Sequence, residues 1–372
     1  MKQKELFTEE LCLRRLSELG DNLEKLNCID WELFRPEIER ALDAKKAEVE
    51  KQDSLKVKEE KHAGGRPAYD CVMMFKILVL QRYYNLSDDQ AEFQITDRMS
   101  FRRFLGLGLE DKIPDAKTIW KFRDDLSQKD HDTAKELFDM FNEKLEDEFL
   151  IGNEGTIVDA TFVEVPKQRN RHDENDQIKK GETPDNWKPE SDTHCNRTMT
   201  DDDLRKKHKL CQKDMDARWT KKNGVNYYGY KSHNAVDRKS KLVKNYDVTA
   251  ANVHESNRCG ELLNGKDKVL FADSAYTGPA VLEKIPSNVT EVHICEKGYR
   301  NKPLTKRQTK RNSKIAKIRC RIEHVFGFMT RSMHELKIRG IGIVRARFDI
   351  GLINLVYNMF RYSYLVTEIK CA

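Results

Sequence analysis

The sequence lacks two features that would indicate a location outside the cytosol. No apolar run approaches the roughly 20 residues that a helix needs to cross a bilayer, and the N-terminal residues show no secretory hydrophobic segment. The nine cysteines are odd in number and follow no spacing typical of a disulfide framework. We therefore expect free thiols in a reducing cytosol and no association with a membrane.

A large excess of one charge is also missing from the chain as a whole. The 68 basic residues barely outnumber the 62 acidic ones, which does not by itself predict a nucleic-acid partner. Between positions 297 and 347, however, 16 lysines and arginines are opposed only by Glu323 and Glu335. A run of like charge is usually a solvated face, but this local density also suits contact with a phosphate backbone.

Length and polarity divide the chain into three predicted parts. With 372 residues, of which 38% are hydrophobic, the chain is long enough for two domains. We predict a charged helical region over 1–62, a helical, helix-turn-helix-like DNA-binding domain over 63–150 and an α/β domain over 151–366. A very polar stretch at about 166–222 is too long for an ordinary connection, and we expect a partly disordered insertion there.

This insertion contains four side chains of types that bind zinc, namely His194, Cys195, His208 and Cys211. The adjacent histidine and cysteine are poorly placed to ligate one tetrahedral ion. Scattered polar residues explain the pattern better than a zinc site does.

Three carboxylates are of interest because of the segments that carry them. Asp159 lies in a short β-rich run after Gly155, and Asp273 follows an apolar run typical of a buried strand. Glu323 lies on a predicted helix, at the edge of its apolar face. A carboxylate at the end of a buried strand is costly unless it is paired, hydrogen-bonded or bound to a metal. Because hard cations take oxygen ligands, the three could converge on a metal site. Arg319, one turn before Glu323, could alternatively form an ordinary ion pair with it on a solvated helix.

With Arg319, this set of acids resembles the catalytic triad of bacterial insertion-sequence DDE transposases, in particular the insertion-sequence-five family. Four further blocks match that family and extend the resemblance over most of the chain: 114–123 (PDAKTIWKFR), 228–233 (YGYKSH), 248–254 (VTAANVH) and 354–358 (NLVYN). Two positions depart from the related signature Tyr-x2-Arg-x3-Glu-x6-Lys. Ala316 stands at its tyrosine and Thr330 at its lysine, with Arg331 one residue further on.

The resemblance implies a fold, a cofactor and a reaction. The implied fold is α/β, an RNase H-like mixed five-stranded sheet flanked by helices and preceded by an all-α N-terminal domain. Asp159 would bridge two Mg²⁺ ions, for which Mn²⁺ can substitute, while Asp273 and Glu323 would each hold one. The protein would cut double-stranded DNA at insertion-sequence ends and join the 3′-OH to target DNA. It would act as a homodimer or higher oligomer at the nucleoid of a bacterial cytoplasm.

Basic side chains in three segments are the predicted DNA contacts. Arg319 would hold a phosphate near Glu323, since arginine forms bidentate phosphate contacts. The same basic segment also contributes Arg331, Lys306, Arg307, Lys310 and Arg311. Lys231 and His233 would share one face of a strand, although a structural role explains such a histidine equally well. On a predicted helix over 115–126, Ile119, Trp120 and Phe122 would pack while Lys117, Lys121 and Arg123 point outward. Plain helical support is the alternative for that module.

Two other functions remain open at this point. A metal-dependent nuclease on the same fold would cut DNA without joining it, and a strand-transfer assay separates it from a transposase. An inactive transposase-derived protein would bind DNA as a regulator, and metal-dependent cleavage would exclude it.

Overall fold

The computed structural model describes residues 8–53, 68–128, 131–152, 154–187, 212–222 and 224–371. Within these ranges, no helix combines the length and the apolarity that a membrane span requires. The four zinc-type residues of the insertion lie outside the described residues: His194, Cys195, His208 and Cys211.

Helices make up the described residues before the first strand. They are α1 (Thr8–Glu18), α2 (Arg35–Asp53), α3 (Cys71–Tyr84), α4 (Asp88–Asp97), α5 (Met99–Leu105), α6 (Ala116–Leu126) and α7 (Thr133–Asp147), with two short 3-10 helices between α1 and α2. Helix α3 is the buried centre of this part, since 11 of its 14 residues are buried. Its nearly continuous apolar sequence predicts such a buried helix.

The ends of these helices follow the local sequence. Ser87 and Gln90 form a capping box at the start of α4, in which each side chain accepts from the other residue's backbone N–H. Gly106 ends α5 in the left-handed conformation, as its position in the sequence predicts.

The prediction that Trp120 packs inward is wrong. Ile119, Phe122 and Leu126 form the buried stripe of α6, spaced three and four residues apart. Trp120 lies one residue off that stripe, about 100° round the helix, and is 49% exposed.

A mixed sheet follows the helical part. Its strands are β1 (Thr156–Glu164), β2 (Arg218–Lys222), β3 (Val225–Asp237), β4 (Val243–Ala250), β5 (Val269–Ala272) and β6 (Glu291–Ile294). Strand β3 pairs antiparallel with β1, β2 and β4. On the other side of β1, β5 and β6 follow in parallel. The predicted class, an RNase H-like mixed sheet flanked by helices after an all-α region, is confirmed.

The predicted number of five strands is wrong, because six strands pair in the part of the chain that the structure describes. The additional strand is β2, which lies within the predicted polar insertion and forms a tight hairpin with β3. Its RWTKK sequence contains one apolar residue, so no alternation of hydrophobic residues marks it. Main-chain pairing with the long β3 holds this strand in place.

Helices cover both faces of the sheet. They are α8 (His172–Lys179), α9 (Cys259–Leu262), α10 (Pro279–Leu282), α11 (Lys306–Arg331) and α12 (Ile343–Cys371). Val158 belongs to the same apolar cluster as α9, whereas its neighbour Ile157 belongs to the cluster that includes α11 and α12. Because successive strand residues point to opposite faces, Asp159 lies on the α11 side of β1, as Ile157 does.

The described parts of the insertion are folded onto this body. Trp187 is fully buried, and its indole Nε1 donates to Glu174 Oε1 over 2.8 Å. Asp214 accepts from the hydroxyl of Tyr230 over 2.8 Å and from the backbone N–H of Gly342, at the start of α12. Asp214 therefore anchors the second described part of the insertion to β3 and to the start of α12, whereas the Trp187 bond lies within the first part.

The helical part and the sheet are joined by a continuous core and by buried charge. Phe75 of α3 and Leu355 of α12 belong to one apolar cluster. Arg82 Nη2 lies 2.7 Å from Asp349 Oδ1, and both side chains are almost fully buried. The position of one part relative to the other is thus fixed by α12, which packs on α3 and α7.

Gly229, in the YGYKSH block, is expected to be intolerant of a side chain. Its φ is 145°, and a Cβ there would collide with the carbonyl oxygen of Val163 on β1. We expect Gly229→Ala to lower the free energy of unfolding by more than about 2 kcal/mol in chemical denaturation. Gly327→Ala is the matched control, because open space surrounds Gly327 in α11 and alanine favours helix. Equal stability of the two variants would contradict the prediction.

Candidate active site

Asp159 and Asp273 lie at the same edge of the sheet. Strands β1 and β5 are parallel neighbours, with Ile157 opposite Phe271. Continuing this register by two residues places Asp159 opposite Asp273, which directly follows β5. The pairing of β1 with β5 thus puts the two aspartates on neighbouring strands at one edge of the sheet.

The Asp159 carboxylate is held by two contacts. Its Oδ2 lies 3.0 Å from Arg319 Nη2, and its Oδ1 accepts from the backbone N–H of Ala160 over 2.8 Å. Burial nevertheless raises the pKa of Asp159 to about 6, against the opposing effect of Arg319 and with smaller contributions from Glu255 and Asp273. A further cation would stabilise the charged form of this carboxyl. A carboxyl with such a shifted pKa is therefore a candidate functional residue.

Asp273 is oriented by the turn that follows it. Its Oδ1 accepts from the backbone N–H of Ala275 over 2.7 Å and caps the 3-10 helix Ser274–Tyr276. This turn holds the carboxylate at the end of β5, and the second oxygen forms no hydrogen bond within the described residues. The aspartate can therefore accept a ligand without breaking its cap.

Arg319 lies on α11 and does not pair with Glu323. Its guanidinium reaches across to β1, and its Nε is buried without an acceptor among the residues the structure describes. The alternative of an ordinary i,i+4 ion pair on a solvated helix is therefore wrong. The tertiary contact with Asp159 replaces it.

Glu323 is exposed, one turn beyond Arg319, and makes no hydrogen bond or ion pair within the described ranges. No group of three acidic, histidine or cysteine side chains in the described part of the chain is arranged to hold a metal. The structure thus brings together Asp159, Asp273 and Arg319. Glu323 lies on the same helix as Arg319 but forms no hydrogen bond or ion pair with these three residues in the described structure.

A fourth carboxylate, Glu255, belongs to this neighbourhood although the sequence analysis did not identify it. It is buried, and its Oε1 lies 3.1 Å from Lys222 Nζ. Burial raises the pKa of Tyr276, and the negative charges of Asp159, Glu255 and Asp273 raise it further. The VTAANVH block ends one residue before Glu255, so that block was the only signal in the sequence that pointed to this position.

Lys231 and His233 are both buried, on the opposite face of the sheet from Asp159. Lys231 Nζ donates to the Val253 carbonyl over 2.7 Å. His233 Nε2 lies 2.8 Å from Thr249 Oγ1, and burial lowers its pKa to about 3. His233 is therefore a neutral residue within the core of this structure, and its predicted DNA contact stays untested.

Apart from Arg319, the predicted DNA contacts on α11 lie towards its two ends. Lys306, Arg307 and Lys310 are exposed near its start, and Arg331 is exposed at its last position. Arg311 is exposed as well, with Nη1 3.5 Å from Glu296 Oε1. The N-terminal half of α11 is therefore exposed and strongly basic, and Arg319, which follows it on the same helix, contacts Asp159.

On α6, Lys117 and Lys121 are exposed as predicted, on either side of Trp120. The prediction that Arg123 points outward is wrong. Its guanidinium contacts both carboxylate oxygens of Asp88, over 2.6 and 2.8 Å, and so fastens α6 to α4.

Two family models match the chain. Residues 151–359, more than half of the chain, match the Transposase DDE domain, and this range includes the sheet, α11 and the three predicted catalytic acids. Residues 21–125 match the Transposase domain family DUF772, which spans most of the helical part. No solved structure matches the chain significantly. The extent of the first match, over the domain that carries Asp159 and Asp273, shows that this chain belongs to the DDE transposase domain family.

Proposed function

We propose that the protein is an active transposase of the insertion-sequence-five type, which cuts DNA at the ends of its element and joins those ends to target DNA. One observation carries the proposal: in a DDE domain, two aspartates on adjacent parallel strands share a sheet edge with a partly buried arginine. Carboxylates poised for a cation, next to a phosphate-binding side chain, are what phosphodiester chemistry requires.

Oxygen donors suit Mg²⁺, and two of the three proposed ligands lie on neighbouring strands at one edge of the sheet. Asp159 and Asp273 supply oxygen ligands at neighbouring positions, and Glu323 is exposed and unpaired on the helix that faces them. Mg²⁺ keeps several waters and takes few protein carboxylates, so these three residues suffice to hold it. When bound, the ions would supply charge neutralisation at the attacking and leaving oxygens. Asp159, Asp273 and Glu323 would hold these ions, and Mn²⁺ could replace Mg²⁺ there.

The proposed reaction has two displacements at phosphorus. Water attacks the phosphodiester at the element end, the bond from phosphorus to the 3′ oxygen breaks, and the element strand is left with a 3′-OH. That hydroxyl then attacks a phosphodiester of the target, forming a new bond to phosphorus and releasing a target 3′-OH. The residues of the chain hold the reacting phosphate in line and exclude competing nucleophiles.

Arg319 would exchange its carboxylate partner for a substrate phosphate. Its Nε is buried without an acceptor in the described residues, so a phosphate at Asp159 would satisfy a donor that is otherwise unpaired. We expect Arg319→Ala to slow cleavage by about tenfold to a hundredfold and to change DNA affinity by less than about threefold.

The matched control for this prediction is Arg321→Ala, which removes a half-buried arginine from the same helix. Arg321 donates to the Arg238 carbonyl and does not contact Asp159. Single-turnover cleavage and gel-shift titration measure both effects. An unchanged cleavage rate in Arg319→Ala would mean that Arg319 forms only a structural ion pair with Asp159.

The basic half of α11 and the exposed lysines of α6 would contact the phosphate backbone of the element ends. Bringing two ends together requires at least two copies of the protein, so we propose a dimer or higher oligomer on DNA. We place this complex at the nucleoid of a bacterial cytoplasm, where its double-stranded substrate is found.

A cleavage and strand-transfer assay tests the function. The substrate is a labelled duplex taken from the DNA that flanks the gene, incubated with a plasmid target and Mg²⁺ or Mn²⁺. Joined products establish the transposase. Nicking without joining would favour a nuclease on the same fold, and binding without cleavage would favour a transposase-derived regulator.

A further inference from the structure

Five basic side chains gather around the turn that joins β3 to β4. We call them the turn cluster, of which three belong to the turn and two to the helices beside it: Arg238, Lys239, Lys241, Arg321 of α11 and Arg361 of α12. Where these side chains form hydrogen bonds in the described structure, the acceptor is a main-chain carbonyl or a histidine and not a carboxylate. The only acid in the turn, Asp237, is buried, and its Oδ2 accepts from the backbone N–H of Ser240. The cluster therefore keeps its positive charge.

Hydrogen bonds from two helices hold the turn in place. Tyr357 of α12 donates to the Lys241 carbonyl over 2.9 Å, and Arg321 of α11 donates to the Arg238 carbonyl. The Nζ of Lys241 also lies 3.1 Å from Nδ1 of His324 on α11. Like charges repel, so a fixed cluster of cations lowers stability unless a polyanion neutralises it. The turn cluster is thus a preformed surface for such a partner.

The turn cluster adjoins the candidate active site. The guanidinium carbon of Arg238, which is exposed, lies 5.5 Å from the centre of the Phe271 ring. Phe271 comes two residues before Asp273 in an extended segment, so both side chains point to the α11 face of the sheet. Roughly 7 Å separates their α-carbons. On α11, Arg321 follows Arg319 by only two residues.

Two basic surfaces therefore flank Arg319 along α11. The exposed basic residues near the start of the helix, at 306–310, lie roughly 14–20 Å before Arg319 along the helix axis. The turn cluster meets the helix just after Arg319, at Arg321 and His324. Each surface suits one stretch of phosphate backbone, and the joining of DNA requires two segments at one centre.

We propose that the turn cluster binds the backbone of the target DNA, while the N-terminal half of α11 holds the element end. This inference rests on the proposed function. Contacts from lysine and arginine to phosphates position a duplex and carry no sequence information. They suit the partner that differs from one joining event to the next, which is the target. A target phosphate bound by Arg238 would lie close to Asp273, where the 3′-OH of the element attacks.

The dependence of joining on target concentration tests this surface. The double variant Arg238→Met/Lys239→Ala removes two charges, and methionine still packs on the Phe271 ring. We expect the plasmid concentration at half-maximal joining of a pre-cut end to rise about tenfold, with the maximal rate within about twofold of wild type. Cleavage of an uncut flanking duplex, and the affinity for that duplex, should stay as in wild type.

Lys284→Ala is the matched control for the double variant. Lys284 is also exposed, but its carbonyl lies beside Gly260 of α9, on the other face of the sheet. Its loss should change neither the target requirement nor cleavage. Thermal unfolding of each variant checks that the fold persists.

Capture of a second duplex tests the same surface without chemistry. The protein is first loaded with an element end that terminates in a 3′-dideoxynucleotide, and a labelled duplex of unrelated sequence is then titrated at several salt concentrations. Each cation that binds a phosphate contributes about 0.9 to the slope of log affinity against log salt concentration. We expect the slope for the double variant to be lower by about 1.8.

The outcomes separate this inference from the proposed function. Joining by wild type, with an unchanged target requirement and slope in the double variant, would overturn the inference and leave the transposase intact. Loss of cleavage or of element-end binding in the double variant would also overturn it, because the cluster would then hold the element end. Capture by a wild type that joins nothing, with the lower slope in the variant, would support the surface and contradict the transposase. A wild type that neither joins nor captures would overturn both.

Discussion

Asp159→Asn is expected to abolish cleavage and, in the absence of divalent cations, to raise the melting temperature of the protein. The carboxylate is a proposed metal ligand, and asparagine cannot replace its charge. The same charge is costly to bury in the metal-free protein, because the pKa of Asp159 is about 6 against an ordinary value of 3.8. A difference of this size corresponds to roughly 1–3 kcal/mol.

The sign of the pH dependence follows from the direction of the shift. The folded protein binds the Asp159 proton more tightly than the unfolded chain does, so this group lowers stability as pH rises from 3.8 through about 6. Above that range the penalty is complete. The melting temperatures of wild type and Asp159→Asn should therefore converge near pH 4 and differ most at pH 7, where scanning calorimetry in EDTA measures them.

Asp273→Asn is the matched comparison for Asp159→Asn. It should also abolish cleavage, but asparagine can still accept from the Ala275 N–H and keep the cap. Its melting temperature should stay close to that of wild type. A destabilised Asp159→Asn would contradict the account, because it would mean that the ion pair with Arg319 outweighs the cost of burial.

Glu323→Gln is expected to abolish cleavage without a measurable change in stability. Its carboxylate is exposed and unpaired in the described structure, so its removal breaks no contact and should change the free energy of unfolding by less than about 0.5 kcal/mol. Loss of a metal ligand, by contrast, should remove almost all of the cleavage rate. Single-turnover cleavage and thermal unfolding on the same preparations measure both quantities.

Glu335→Gln is the control for Glu323→Gln. Glu335 is also exposed and lies in the same basic segment, but it follows the end of α11. A general effect of negative charge on DNA binding would appear in both variants. Full cleavage by Glu323→Gln would remove this glutamate from the proposed triad.

The residues that could be placed from the sequence are those with a strong local pattern. The apolar run before Asp273 and the β-rich run around Asp159 identified the two strands, and parallel pairing then brings the aspartates together. The capping box of Ser87 is similarly local, because its two hydrogen bonds lie within four residues.

Tertiary contacts account for what the sequence did not reveal. The partner of Arg319 is 160 residues away, so the helical spacing suggested Glu323 instead of Asp159. Lys231 and His233 were predicted as DNA contacts, with a structural role as the alternative for the histidine, and both side chains are buried because helices cover the two faces of the sheet. Glu255 lies in a single 3-10 turn, which is too short to show any periodicity.

The most direct test of the central claim, that this chain joins DNA ends, is strand transfer from a pre-cut end. A flanking duplex that ends in a 3′-OH at the element boundary, and the same duplex ending in a 3′-dideoxynucleotide, are each incubated with a supercoiled plasmid and Mg²⁺. We predict plasmid-joined product from the 3′-OH duplex alone, and none in Asp159→Asn, Asp273→Asn or Glu323→Gln. Absence of joined product from the 3′-OH duplex, or joining that any of the three variants retains, would contradict the account.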